Sequence, residues 1–264
     1  MSGLKEAFAG RTVNSGNAEV GPTRLVEYFR PHGKAKLMRE QAVSIVRDAI
    51  IAGRLRPGMR LVERELCEAL EVSRTVVREV LRDLEAERLI DVLPHRGPIV
   101  AMLTPKQVRE IYALRTEIEV LFLRSFVRTA SDADIEVLRG ILAELSAAGA
   151  RHDKTALIGI ITRFLHHMAA VADNQVGAEI YDQLLARINM LRILSMNTPG
   201  QIEDSITSIT RIVEEVAARN ADAAEKALRD YTTHAGESAI IELNKEGRTE
   251  PAKAKSARSA STGV

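Results

Sequence analysis

The 264-residue chain has few aromatic residues, 3% of the total, and no tryptophan. Leucine, isoleucine, valine and alanine must therefore fill its core. That set suits helix packed on helix better than a β-sandwich. Cysteine is nearly missing. Cys67 stands alone, which excludes an internal disulfide and fits a reducing, cytoplasmic setting. No apolar run reaches about 18 residues, so no membrane span is expected. The opening stretch MSGLKEAFAGRTVNSG lacks the apolar segment of a secretory signal and is not expected to be one. Neither sign of charge dominates. Lys and Arg number 37 against 36 Asp and Glu, a net +1, so no overall basic field points to nucleic acid.

What is present is helical periodicity in two regions of different texture. Residues 1–35 are rich in Gly, Asn, Thr and charge and read as a flexible arm, with room for one short helix in TRLVEYF. Residues 36–102 form the first region. REQAVSIVRDAIIAG spaces Val46, Ala49 and Ile50 as a helix does, and Gly53 ends it. RPGMRL reads as a turn. VERELCEALEV is a short helix with Leu66, Ala69 and Leu70 on one face. SRTVVREVLRDLEAERL follows, with Ser73 as N-cap and Val77, Val80, Leu81 and Leu84 turned inward. LIDVLPHRGPIVAML then gives two short β-rich runs around PHRG, a small hairpin.

Residues 103–245 contain almost nothing but helix. Starts stand at TPKQ (Thr104 as cap, Pro105 at the first helical position), SDAD, HDKT, NQVG, TPGQ and NADAA. Six helices follow, several with alanine-rich faces suited to close packing, and they predict an all-helical bundle. The tail from residue 246 is low in apolar residues and is expected to be disordered. The fold class is mainly α: a winged helix-turn-helix followed by a six-helix bundle.

Two short helices, a sharp link and a hairpin behind them make the winged helix-turn-helix pattern. The third helix has the chemistry for DNA. Ser73 and Thr75 at a helix N-terminus suit phosphate oxygens. Arg74 and Arg78 are four apart and share a face, and arginine can bond both major-groove acceptors of guanine. Arg64 in the preceding helix is placed to clamp the backbone. His95 and Arg96 beside Gly97 suit the tip of a wing. Charges between Lys36 and Ala101 nearly cancel, so this reading rests on arrangement and not on net charge.

LRPGMRLVERELCEALEVSRTVVREVLRDLEAERLIDVLPHRGPIV resembles the DNA-binding domain of the GntR family of bacterial transcriptional regulators. The region opening with TPKQVREIYALRTEIEV resembles the FCD ligand-sensing domain of the family's FadR branch. The resemblance implies a homodimeric regulator, typically a repressor, that binds palindromic double-stranded operator DNA and responds to a small-molecule effector. It also implies that Arg64, Arg74 and Arg78 are DNA-contacting arginines, and that Ser73, Thr75 and Gly97 fall at contact positions. Two departures stand out. Val76 replaces a common proline. Arg88 replaces the glycine that usually ends the recognition helix, a position favouring left-handed backbone, at a cost of about 1 kcal/mol.

Many FCD domains hold a divalent metal with one Asp and three His. Here the corresponding positions read Ile161, Leu165, Ile209 and Tyr231, and shifting the register by one pairs His166 with Thr162 instead of an Asp. No metal or other cofactor is therefore expected. The resemblance places Arg115 at a family arginine near the effector pocket, able to meet a carboxylate, with Thr162, His166 and Tyr231 as further candidates. An Arg115–Glu119 ion pair along the helix is the competing reading of that arginine. Ile161, Leu165 and Ile209 would favour an effector more apolar than a metal-bound citrate-like acid, an organic acid or a more apolar metabolite.

His166 and His167 are neighbours in TRFLHHMAAVADN and point about 100° apart on a helix, so they cannot share a ligand. No carboxylate or nucleophile stands three or four residues from His166, so an enzyme using a pocket histidine is an alternative, not the reading adopted. A helical acyl- or lipid-binding module with a vestigial winged domain is a second alternative, disfavoured by the arginines at 64, 74 and 78.

Overall fold

The computed structural model describes residues 39–259, with side chains through Lys245. The expected N-terminal arm lies outside these residues. Two compact units divide at 102/103, with Ile51–Gly53 grouped with the second.

The first unit holds α1 (Arg39–Ile51), α2 (Glu63–Leu70), α3 (Arg74–Ala86), β1 (Ile90–Leu93) and β2 (Gly97–Val100). Its core is aliphatic: Val46, Ala49, Leu66, Leu70, Val77, Val80 and Leu84 are all buried. Two bidentate ion pairs tie α1 to α3, Arg39 to Asp83 and Arg47 to Glu87. α2 ends at Glu71 in left-handed backbone, φ 55°, and Ser73 restarts the chain as α3. That short link makes the helix-turn-helix. At the other end of α3, Arg88 has φ 58°. Its N–H bonds the carbonyl of Glu85 and the N–H of Leu89 bonds that of Leu84. This is a Schellman cap, and Leu84 and Leu89, at the positions of its usual apolar pair, are both buried.

β1 and β2 pair antiparallel from Ile90↔Val100 to Leu93↔Gly97, leaving Pro94, His95 and Arg96 as the tip. The segment that reads as a mere turn does more. Leu61 N–H bonds the carbonyl of Pro98, and Val100 N–H bonds that of Met59. The stretch after the Pro57–Gly58 turn therefore covers the free edge of β2, leaving the wing no long open edge there.

The second unit is all helix: α4 (Pro105–Thr129), α5 (Asp132–Ala150), α6 (Lys154–Val171), α7 (Gln175–Ser195), α8 (Gln201–Ala217) and α9 (Ala221–Ser259). Local side-chain chemistry sets most starts. Thr104 and Ser131 form capping boxes with Gln107 and Asp134, and Asp153 and Asn174 cap α6 and α7. Asn174 is thus a helix cap, its Oδ1 accepting from Gly177 N–H at 2.9 Å. Aliphatic side chains from all six helices make one core around Phe122, Phe126, Leu138, Met168 and Val216. The expectation of a disordered tail from residue 246 meets a helix that continues to Ser259. Side chains beyond 245 and residues 260–264 lie outside the described residues.

Candidate nucleic-acid interface and buried ligand site

In the first unit, the inward face of α3 leaves its first turn exposed. Ser73 spends its hydroxyl on the Val76 N–H, 3.4 Å away. Arg74, Thr75 and Arg78 are solvent-exposed, as is Arg64 on α2. Arg78 Nε reaches Glu63 Oε2 at 3.2 Å, and Arg64 lies 4.0 Å from Glu68. Both pairs are open to water, so they hold the arginines loosely. His95 and Arg96 are exposed at the wing tip, where His95 (φ 64°) and Gly97 (φ 75°) both take left-handed backbone. The helix and hairpin candidates therefore lie on exposed surface of one unit.

In the second unit, Arg115 and Glu119 pair along α4, Nε to Oε1 at 2.7 Å, with each side chain only 1% exposed. This is no surface pair. Glu119 Oε1 also accepts from the Tyr181 hydroxyl at 2.7 Å and from Arg192 Nη2 at 3.4 Å. Arg192 Nη2 donates to Tyr181 Oη as well, and its Nη1 to Asn189 Oδ1. The rings of Tyr112 and Tyr231 stand 5.1 and 5.5 Å from the Arg115 guanidinium carbon, within cation–π range. Burial works against the charge on Arg115, but Glu119 and the surrounding tyrosines hold its pKa well above the usual value. Burial likewise lifts the Tyr112 and Tyr181 hydroxyls, so both stay protonated donors.

Of the four effector candidates, the structure gathers Arg115 and Tyr231. Thr162 presents a buried Oγ1 with no hydrogen-bond partner. His166 lies elsewhere: it is 46% exposed and its Nε2 meets Asp182 of α7 at 2.8 Å. His167 is half-buried, edge-on to Phe126, with Nε2 3.0 Å from the Asp134 carbonyl. The two histidines diverge as helix geometry requires. Arg192, Tyr181 and Asn189 escaped the sequence reading. Arg192 carried a signal, since it interrupts the apolar run INMLRILSM.

The positions at which related domains hold a metal do not fit one. Ile161, Leu165, Ile209 and Tyr231 are buried, three aliphatic chains and a phenol in place of imidazoles and a carboxylate. His234 lies near the last of them in sequence but is 57% exposed beside Asp204. Among the described residues, no group of three or more His, Cys, Asp or Glu side chains is placed to hold a metal ion. No helix among them is long and apolar enough to cross a membrane.

Comparison with known proteins agrees with both units. Residues 38–100 match the bacterial regulatory proteins of the gntR family, and residues 110–234 match the FCD domain. The chain is 27% identical over 186 residues to the HTH-type transcriptional regulator YdhC of Bacillus subtilis (strain 168), covering 70% of this chain and 83% of that one. It is 25% identical over 201 residues to the HTH-type transcriptional repressor RspR of Escherichia coli (strain K12), covering 76% and 88%. A solved GntR-type transcriptional regulator from Rhodococcus sp. RHA1 superposes with a TM-score of 0.65 at 26% identity, covering 76% of this chain and 97% of that one. With a gntR-type winged reader followed by an FCD bundle, the chain belongs to the GntR family of transcriptional regulators.

Proposed function

We propose that the protein is a cytoplasmic, non-enzymatic repressor that binds operator DNA as a homodimer and is released by a small organic acid held in its helical unit. One observation carries the DNA part: Arg74, Thr75 and Arg78 are exposed on the first turns of α3, beyond a fully aliphatic buried face. A helix N-terminus offers backbone N–H groups to phosphate, and the two arginines can read base edges. Arg64 adds a backbone clamp, and His95, Arg96 and Gly97 form the wing contact. Repression follows the printed role of the RspR relative. A two-fold protein asks for a two-fold, palindromic site. Effector binding would alter the spacing or mobility of the two readers.

The sensor reading rests on the buried cluster of Arg115, Glu119 and Arg192, with Tyr231 beside it. Our reading gives it no metal, because the expected ligand positions hold three aliphatic side chains and one phenol in place of imidazoles and a carboxylate. The test combines sedimentation with selection of binding sites from random DNA. The expected result is a dimer that enriches a palindrome. Arg74→Ala should then weaken specific binding by about 1–3 kcal/mol. A monomer, or an Arg74→Ala protein with undiminished operator affinity, contradicts the proposal.

A further inference from the structure

α3 and its cap carry two charged ridges of opposite sign, each with a spacing of four. Glu79, Asp83 and Glu87 are half-buried along one flank, and Arg74, Arg78 and Arg82 are exposed along another. α1 occupies the acidic ridge. Arg39 makes two hydrogen bonds to Asp83 and brings its Nε to 3.8 Å from Glu79, while Arg47 makes two to Glu87. The acids of this flank are thus taken up inside the unit. Charges that nearly cancel in sum do not cancel in place, and the surface left to a partner is the basic ridge. Arg78 is held there only by its water-exposed pair with Glu63. Arg82 has no hydrogen-bond or ion-pair partner among the described residues. Glu85 shares this sector but stands beyond Arg82, towards the C-terminal end of the helix.

Each step of four residues turns the row by about 40°. From Arg74 it swings outward through Arg78 to Arg82, which lies roughly opposite the buried Val77, Val80, Leu81 and Leu84 and in the same sector as Thr75. Arg82 is also about 12 Å further along the axis than Arg74. The major groove is about 8.5 Å deep. A helix that enters it N-terminus first, with Arg74 at the base edges, therefore carries Arg82 to the rim, where the phosphates are. Helical side chains lean towards the N-terminus, which brings the Arg82 guanidinium back towards that rim. We propose that Arg82 is a further DNA contact, a clamp on the phosphate backbone at the edge of the groove. The inference rests on the DNA reading above and adds a residue that the family resemblance does not assign. At the rim no base edge is within reach, so the contact adds affinity without sequence preference.

The full-length protein and its Arg82→Ala, Arg82→Lys and Arg74→Ala forms would be titrated by fluorescence anisotropy against the selected operator and a scrambled duplex, across a salt series. Arg82→Ala should bind both duplexes about threefold to tenfold more weakly, leaving the preference for the operator unchanged. Its plot of log affinity against log salt should be shallower by about 0.9 for each bound protomer, the mark of one lost phosphate contact. Arg82→Lys keeps a cation and should recover most of the affinity and the slope. Arg74→Ala should lose operator preference as well as affinity. Arg82 is exposed and unpartnered, so the melting temperatures of its variants should stay at that of the parent. Parental affinity and slope in Arg82→Ala, a loss confined to the operator, or an Arg82→Lys protein as weak as Arg82→Ala each overturns the inference. Arg74→Ala separates it from the reading beneath it. If Arg74→Ala is weakened and Arg82→Ala is not, the DNA reading stands and this contact falls. If neither is weakened, the DNA reading itself fails.

Discussion

Arg78 Nε lies 3.2 Å from Glu63 Oε2, so an arginine on the exposed face of α3 is held by a carboxylate of α2. Both side chains are open to water, at 64% and 37%. Such a pair contributes little to stability, and it can be exchanged for a phosphate or a base edge when DNA arrives. Glu63→Gln should therefore leave the melting temperature nearly unchanged. It should tighten operator binding by about 0.3–1 kcal/mol at low salt, because Arg78 no longer gives up a partner. The gain should fade as salt is raised. Fluorescence anisotropy across a salt series measures this. Weaker binding by the Glu63→Gln protein would show instead that the pair positions Arg78 for contact.

Features governed by neighbours in sequence were open to reading from the residues. The caps at Thr104, Ser131, Asp153 and Asn174 depend on a side chain and an N–H three residues on. The buried stripe of α3 depends on helical spacing alone. Features governed by distant parts of the chain were not. The strand-like pairing of Met59 and Leu61 with β2 is set by tertiary contact, and its sequence shows only the turn. Arg115 stands one helical turn from Glu119 on α4 and that pair could be read from spacing, but its other partners, Tyr181 and Arg192, come from α7, and no spacing rule links them to α4. His166 shows the opposite failure: its residue type suggested a pocket, while its phase on α6 turns it outward to Asp182.

The α3 cap yields a stability test. Arg88 occupies left-handed backbone at φ 58°, in the position where a Schellman cap favours glycine. Arg88→Gly removes the clash of a β-carbon in that region. Stability should rise by about 0.5–1 kcal/mol, read as an upward shift of the urea midpoint with unchanged slope. Gly97→Ala at φ 75° runs the same experiment backwards. Nothing lies within 4 Å of the added β-carbon, so any loss, about 1 kcal/mol, comes from backbone conformation and not from crowding. If both substitutions are neutral, the wing and cap relax more freely than these angles imply.

Gly236 carries a steric prediction for the buried cluster. A β-carbon there would meet the Tyr112 ring at 3.1 Å. That ring stands beside the Arg115 guanidinium, so Gly236→Ala should press it against the cation. The expected loss is about 1–3 kcal/mol of stability, the usual range for overpacking. Calorimetry would measure it, and an unchanged melting temperature would mean that Tyr112 has room to retreat.

Glu119 is the single carboxylate facing two buried guanidinium groups, and its removal is the most severe substitution considered. Glu119→Gln keeps an oxygen that can accept from Tyr181 but removes the charge that compensates Arg115 and Arg192. Breaking a buried pair in this way leaves uncompensated charge, at a cost of about 3–5 kcal/mol. For a protein of this size the melting temperature should fall by roughly 6–20 °C. Glu117→Gln is the internal control. Glu117 lies on the same helix and pairs with Arg229, but it is 67% exposed, so water takes over the solvation of the freed arginine and the melting temperature should hardly move. Equal effects from the two substitutions would mean that the Glu119 cluster is hydrated in solution, and that its arginines do not need an anion for stability.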